Sequence, residues 1–273
     1  MACQRYSGEN FGNLMNSMAK RPTVGLFATC LVDTQRPNIG FAALRLLEQA
    51  GCDVEVPTAQ TCCGQPAWNS GDDASSRVLA QQTISAFEGF DYVVVPSGSC
   101  AGTVVKHYPE MFANDSDWLA KAEDLAKRTH ELMSFLVDIR KVQLNPVEFN
   151  ARVTYHDSCS GLRELGIRNQ PRQLLENTAS VVVEELADSE TCCGFGVTFC
   201  VKYPEISERM VDDKLSLVSQ TGADVLLGGD LGCLMNIAGR ASRLGLPLRV
   251  FHIAEVLAGM SDGAGIGEPE SGN

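Results

Sequence analysis

A spaced set of cysteines occurs twice in this chain, in the same order. Cys30, Cys62-Cys63-Gly64 and Cys100 form the first set; Cys159, Cys192-Cys193-Gly194 and Cys233 form the second. Matching positions lie 129 (Cys30 to Cys159), 130 (Cys62 to Cys192) and 133 (Cys100 to Cys233) residues apart. One rule, used twice, thus places eight of the 11 cysteines. Unrelated thiols have no reason to fall in register, so the chain must fold as two equivalent halves, each converging its thiols.

Each motif cysteine follows a short apolar run. In the first half these runs are 23–29, leading to Cys30; 53–58, leading to Cys62; and 91–95, leading to Cys100. In the second half they are 152–155, 181–185 and 224–227. Helical patterns separate them: Ile39, Ala43, Leu46 and Ala50 on one face, then about 72–87, 171–177, 204–220 and 234–244. Apolar strands alternating with helices predict an α/β fold with two pseudo-symmetric tandem lobes, each a small, mostly parallel sheet flanked by helices. The expected organisation is a polar extension over 1–21, a first lobe over 22–146, a second over 147–260, and a disordered Gly-, Glu- and Ser-rich tail over 261–273. Apolar residues at Trp118, Ala122, Leu125, Thr129, Leu132 and Leu136 predict one amphipathic helix over 117–139, outside the repeat and packed between the lobes.

The chain has 273 residues, 44% of them apolar and 21% charged, with a net charge of −12. That charge argues against nucleic acid and anionic membrane surfaces as partners. No apolar run reaches the roughly 18–20 residues of a spanning helix, and the first residues lack an apolar leader core. The expected location is cytoplasmic. A reducing compartment disfavours disulfides and leaves metal ligation or redox chemistry to explain so many thiols.

In a parallel sheet the strands' carboxyl ends share one edge, so four thiols per lobe are expected to converge there. Sulfide-bridged iron is a soft acceptor matched by thiolate, and a four-iron cluster takes four cysteines. One [4Fe-4S] cluster per lobe is therefore the expected cofactor, held by Cys30, Cys62, Cys63 and Cys100 and by Cys159, Cys192, Cys193 and Cys233. Gly64 and Gly194 let the backbone turn tightly around such a core. Structural zinc also takes four thiolates, but usually from pairs two to four residues apart. Cys3, Cys52 and Cys200 fall outside the rule: a tail residue, a core thiol and a packing residue.

These motifs resemble those of the cysteine-rich (CCG) domain family: a lone Cys, then Cys-Cys-Gly, then Cys-x-x-Cys. The family includes a cysteine-rich component of heterodisulfide reductase and the iron–sulfur subunits of glycolate oxidase and anaerobic glycerol-3-phosphate dehydrogenase. The resemblance covers about residues 23–258. In this chain the first cysteine of Cys-x-x-Cys is Ser97 (VVVPSGSC) in one lobe and Asp230 (LLGGDLGC) in the other. Four remaining thiols suit an ordinary cubane, with Ser97 or Asp230 an oxygen ligand to one iron or a position leaving an iron open. The segments PSGSCAG, CCGFGVTFCVKYPEIS and GCLMNIAGR are similar to the lactate utilisation protein A family, departing from it at Val197 and Cys200. That resemblance implies an iron–sulfur electron-transfer subunit of a complex oxidising L-lactate to pyruvate, with lactate utilisation proteins B and C as partners. It leaves a thiol–disulfide reductase subunit and a zinc or thiol scaffold as alternatives.

Three residues before Cys159, His156 is placed either to donate to a cluster sulfur or to hold its loop. Arg163, Arg168 and Lys202 lie near motif loops, where a carboxylate substrate would need a cation. His252 sits at a strand–helix junction, and His107 and His130 carry no signal. No P-loop, dinucleotide fingerprint or Ser-His-Asp order appears. The stretch 263–267 lacks the strand and helix a phosphate loop needs.

Overall fold

The computed structural model describes residues 21–179 and 181–269. All of the expected extension over 1–21 except Arg21, including Cys3, and the last four residues lie outside the described part. Two four-stranded sheets form the frame, each entirely parallel. The first comprises β1 (Thr23–Leu26), β2 (Asp53–Glu55), β3 (Tyr92–Val95) and β4 (Thr129–Glu131), in the order β2-β1-β3-β4. The second comprises β5 (Val153–His156), β6 (Val183–Glu184), β7 (Val225–Gly228) and β8 (Arg249–His252), in the order β6-β5-β7-β8. The central strands run VGL, VVV and VLL, buried on both faces, as strands covered by helices require. Strand order reverses between β1 and β3, and between β5 and β7. The crevice at such a reversal is where open parallel sheets collect ligands.

The helices between strands follow from local chemistry. Asn38–Gln49 buries Ile39, Ala42, Ala43, Leu46 and Leu47, spaced three and four apart. Asp73–Ala86 starts at Asp72, whose carboxylate accepts from the Ser75 amide at 3.0 Å. Pro204–Thr221 opens on proline and stops at Gly222, in the left-handed region at φ 67°. The lobes share one core. Val24, Leu26, Leu46 and Phe135 of the first pack in the same apolar cluster as Val153, Leu175, Leu227 and Phe251 of the second.

Two expectations fail here. The single helix over 117–139 is instead a helix, Ser116–Arg128, then β4, then helical turns over Leu132–Ser134 and Phe135–Ile139. Three extended residues keep the apolar spacing, so the periodicity runs through the break. The break is favoured because β4 pairs with the open edge of β3, and the buried Glu131 carboxylate caps the next turn through the amides of Met133 (2.8 Å) and Ser134 (3.2 Å). The element belongs to the repeat: His252, ending β8, likewise caps its helix by accepting from the Ala254 amide at 3.2 Å. Only its second part packs between the lobes, since Ala122 and Leu125 face the first lobe's own outer core.

The tail, expected to be disordered, packs through residue 269. Ile266 is buried and its amide donates to the Val250 carbonyl at 2.7 Å. Arg36 donates to the Ala264 carbonyl at 2.8 Å and pairs with the buried Glu255. Composition hid this, because one apolar side chain and a few backbone bonds suffice to anchor it. We predict that Ile266→Ala destabilises the protein by about 2–3 kcal/mol in urea titrations. A tail free of the lobe would give no measurable change.

Candidate functional site

All eight motif cysteines fall where the strand ends converge. Cys30 opens the short helix Cys30–Gln35 just beyond β1, Cys62 and Cys63 follow β2, and Cys100 lies in the helix Gly98–Gly102 after β3. In the second lobe Cys159 follows β5, Cys192 and Cys193 follow β6, and Cys233 lies in Leu231–Arg243 after β7. The thiols of each lobe form a connected chain of contacts. Cys63 Sγ lies 3.4 Å from Cys100 Sγ, and Cys62 is near enough to Cys30 and Cys63 for both to lower its thiol. Cys192 is near enough to Cys159 and Cys193 for both to lower its thiol, and the Cys193 and Cys233 sulfurs lie within 4.8 Å of each other. All eight are free thiols.

Each Cys-Cys-Gly turn is built the same way. Gly64 and Gly194 have φ of 85° and 80°, which L side chains rarely adopt. A Cβ on Gly194 would lie 2.6 Å from the Ser207 carbonyl oxygen. Their amides point at the preceding cysteine sulfurs, Gly64 N–H to Cys62 Sγ at 3.5 Å and Gly194 N–H to Cys192 Sγ at 3.4 Å. Bonds from Cys30 and Cys63 hold the Cys62 thiol low, with the Gly64 amide adding to them; Cys159, Cys193 and Gly194 do the same for Cys192. Each lobe therefore presents a thiolate already stabilised, the form a soft metal takes.

Different residues lock the loops in the two lobes. Tyr108 Oη donates to the Cys63 carbonyl at 2.8 Å, and Asn236 Nδ2 donates to the Cys193 carbonyl at 2.8 Å. Gln60 Oε1 accepts from the Ala28 amide at 2.8 Å behind Cys30. Thr29, beside it, holds φ 61° and ψ 150°, a region costing on the order of 1–3 kcal/mol for a non-glycine residue. Asp157, two residues before Cys159, is gripped by Arg172 at 2.9 Å through both oxygens.

The two positions where the motif lacks its fifth cysteine meet each other. Asp230 Oδ2 accepts from Ser97 Oγ at 3.2 Å and from the Ser99 amide at 2.8 Å, and both side chains are buried. Asp230 precedes its own helix without capping it; its carboxylate instead accepts from the Ser99 amide in the first turn of the first lobe's Cys100 helix, which Ser97 caps. The same helix packs so closely on the second lobe that a Cβ at Gly98 would lie 2.7 Å from Ser158 Oγ. Ser97 and Asp230 thus join the lobes between the two thiol nests.

Whether the nests fit an iron–sulfur core is answered by their donors. Four convergent thiols per lobe form a soft donor set. A cavity of about 250 Å³ stands over the first, lined by its four cysteines and closed by Phe195, Val197 and Leu231. Behind the second, both ring nitrogens of His156 are buried without a hydrogen-bond partner among the described residues. The ring does not hold its loop; a nitrogen lies within 4.8 Å of the Cys193 and Cys233 sulfurs. Burial, with Lys214 adding to it, lowers the imidazole to about 3, so the ring is neutral and offers one N–H donor. These features fit a sulfur-rich group.

The remaining candidates lie elsewhere. Cys52 is a buried core thiol, and the Cys200 thiol donates to the Val197 carbonyl at 3.4 Å. Arg163 reaches Glu190, and the Arg168 carbonyl accepts from Arg172. Lys202 lines a groove beside Cys192. Sequence reading missed Lys214, Arg172, Tyr108 and Glu131, which reach the site from distant elements; only a lysine on an apolar helix face hinted at the first.

Two thiol nests at the switch points of duplicated parallel sheets define a tandem cysteine-rich protein. The chain belongs to the cysteine-rich (CCG) domain family, whose pattern matches residues 24–104 and 153–238. It is 48% identical over 234 residues to Lactate utilization protein A of Geobacillus sp. (strain WCH70), covering 86% of this chain and 98% of that one. The homologous protein of Geobacillus kaustophilus (strain HTA426) is 49% identical and that of Bacillus cereus (strain G9842) 46%, with the same coverage.

Glu131 gives a pH test of the junction. Burial raises its carboxyl from the usual 4.5 to about 8, against the lowering by the Ser134 and Met133 amides, and its Oε1 has no hydrogen-bond partner among the described residues. The native state therefore holds a proton that the unfolded chain releases above pH 4.5. The stability this supplies is full below that pH and is lost as pH rises through about 8. We predict that Glu131→Gln flattens the decline by up to about 1.4 kcal/mol per pH unit in that window. Parallel pH profiles for both proteins would contradict this.

Proposed function

We propose that this chain is an iron–sulfur electron-transfer subunit of a complex oxidising L-lactate to pyruvate. One [4Fe-4S] core would sit in each lobe, on Cys30, Cys62, Cys63 and Cys100 and on Cys159, Cys192, Cys193 and Cys233. The observation that carries the reading is the convergence of four free thiols, twice, in a chain 46–49% identical to proteins named for lactate utilization. Such a core, when bound, supplies one-electron storage. The polypeptide supplies the rest: thiolates stabilised by the Gly64 and Gly194 amides, loops fixed by Tyr108, Asn236 and Arg172, and a buried Ser97–Asp230 joint between the nests.

Oxidising lactate to pyruvate releases two electrons and two protons, and two one-electron sites match that electron count. The carbon chemistry is assigned to a partner, with the B and C proteins of the lactate-utilisation system as the expected ones. Among the described residues no helix is long and apolar enough to cross a membrane. The heterodisulfide-type alternative gains no support, because Ser97 and Asp230 bond to each other where a fifth thiol would stand. We predict that anaerobic reconstitution yields about eight iron and eight sulfide per chain, and that Cys62→Ser or Cys192→Ser each removes about half. A colourless protein carrying stoichiometric zinc would favour the scaffold reading instead.

A further inference from the structure

The duplication allows each position near one nest to be compared with its counterpart near the other. Phe27, three residues before Cys30, directly follows the last paired residue of β1, Leu26 opposite Val94, and its amide donates to the Val94 carbonyl at 2.9 Å; His156, three before Cys159, ends β5 opposite Gly228. Phe27 is wholly buried against Phe87, whereas His156 is buried with no hydrogen-bond partner for either ring nitrogen among the described residues. A second difference lies on the helix behind each Cys-Cys-Gly turn. Gly64 packs on Ser76 and Leu79, and Gly194 on Ser207 and Met210. Seven residues beyond Ser76 stands Thr83; seven beyond Ser207 stands Lys214. Lys214 is fully buried, and its one hydrogen bond among the described residues runs from Nζ to the Ser189 carbonyl, at 3.5 Å.

The second nest therefore has a buried imidazole and a buried amino group where the first has a phenyl ring and a hydroxyl. Acidic groups nearby are largely occupied: Asp157 is clasped by Arg172, Asp188 accepts from Thr191 and from the Glu190 amide, and Asp230 is bonded to Ser97 and Ser99. A core on four thiolates carries net negative charge, and each added electron increases it. A nearby cation and an N–H donor to sulfur stabilise the reduced state more than the oxidised one.

We propose that His156 and Lys214 make the second nest the electron sink of the pair: the imidazole N–H donates to a sulfur of the group held there, and the ammonium lies behind it. The inference rests on the iron–sulfur assignment of the nests. One electron leaving the first site is gained by the second, with no bond made or broken. The first lobe is then the receiving end and the second the delivering end. His156 and Lys214 are positioning residues, acting on the group through sulfur and through charge.

The test is a potentiometric titration of the reconstituted full chain with dithionite and mediators, followed by electron paramagnetic resonance. Cys62→Ser and Cys192→Ser assign each signal to its lobe. The second-lobe signal is expected at the higher potential. His156→Phe and Lys214→Met should each shift the electron's distribution toward the first lobe about tenfold, which is 59 mV for one electron. The first-lobe potential and the iron content should stay unchanged. Where either variant folds poorly, Thr83→Lys gives the converse reading and should raise the first-lobe potential alone. His156→Gln and Lys214→Arg, which keep the donor and the charge, should retain the native values. Iron bound normally with equal potentials, with the first lobe reduced first, or with no shift in the variants overturns this proposal alone. Failure to bind iron overturns the iron–sulfur reading and this proposal with it.

Discussion

Parallel strand pairing is the constraint on which the rest depends. It sets all strand ends of a sheet on one edge, and the orders β2-β1-β3-β4 and β6-β5-β7-β8 put a crevice there. Three loops per lobe then deliver four thiols to one place, though up to 74 residues separate the second lobe's Cys159 from Cys233. The shared core fixes the lobes to each other, and the Asp230 carboxylate completes the arrangement by accepting from the Ser99 amide at the start of the opposite lobe's Cys100 helix. Removing that carboxylate would leave the Ser99 amide without its acceptor, which is costlier than never having had the pair.

Much of this was legible because it is local or repeated. The cysteine register marked the duplication, and short apolar runs ending at each motif marked six of the eight strands. β4 was hidden because Leu125, Thr129, Leu132 and Leu136 keep helical spacing across three extended residues, and only pairing to β3 distinguishes the two. β8 was seen only as a junction at His252. The tail was misjudged because composition speaks of average solvation, whereas Ile266 and one bond to Val250 decide its position.

The site was legible in its ligands and not in its surroundings. Nothing local in the sequence tells that Lys214 lies near Cys193, that Arg172 holds Asp157, or that Ser97 and Asp230 touch across 133 residues. Such contacts arise only after two sheets have packed. The orphaned imidazole of His156 is similarly visible only in three dimensions, because a histidine beside a motif cysteine fits a loop-holding role equally well until its partners are known.

The duplication also shows how one scaffold yields two unlike sites. Glu131 and His252 play the same capping part at corresponding strand ends, and the Cys-Cys-Gly turns are near copies. Around them Phe27 stands for His156 and Thr83 for Lys214. The central claim, two thiolate cages each gripping an iron–sulfide core, is tested most directly by Mössbauer spectroscopy of the chain reconstituted anaerobically with isotopically enriched iron. The account predicts two tetranuclear, all-sulfur iron sites of unequal environment. Mononuclear iron, or iron spread over ill-defined sites unaffected by the loss of Cys62 or Cys192, would contradict it.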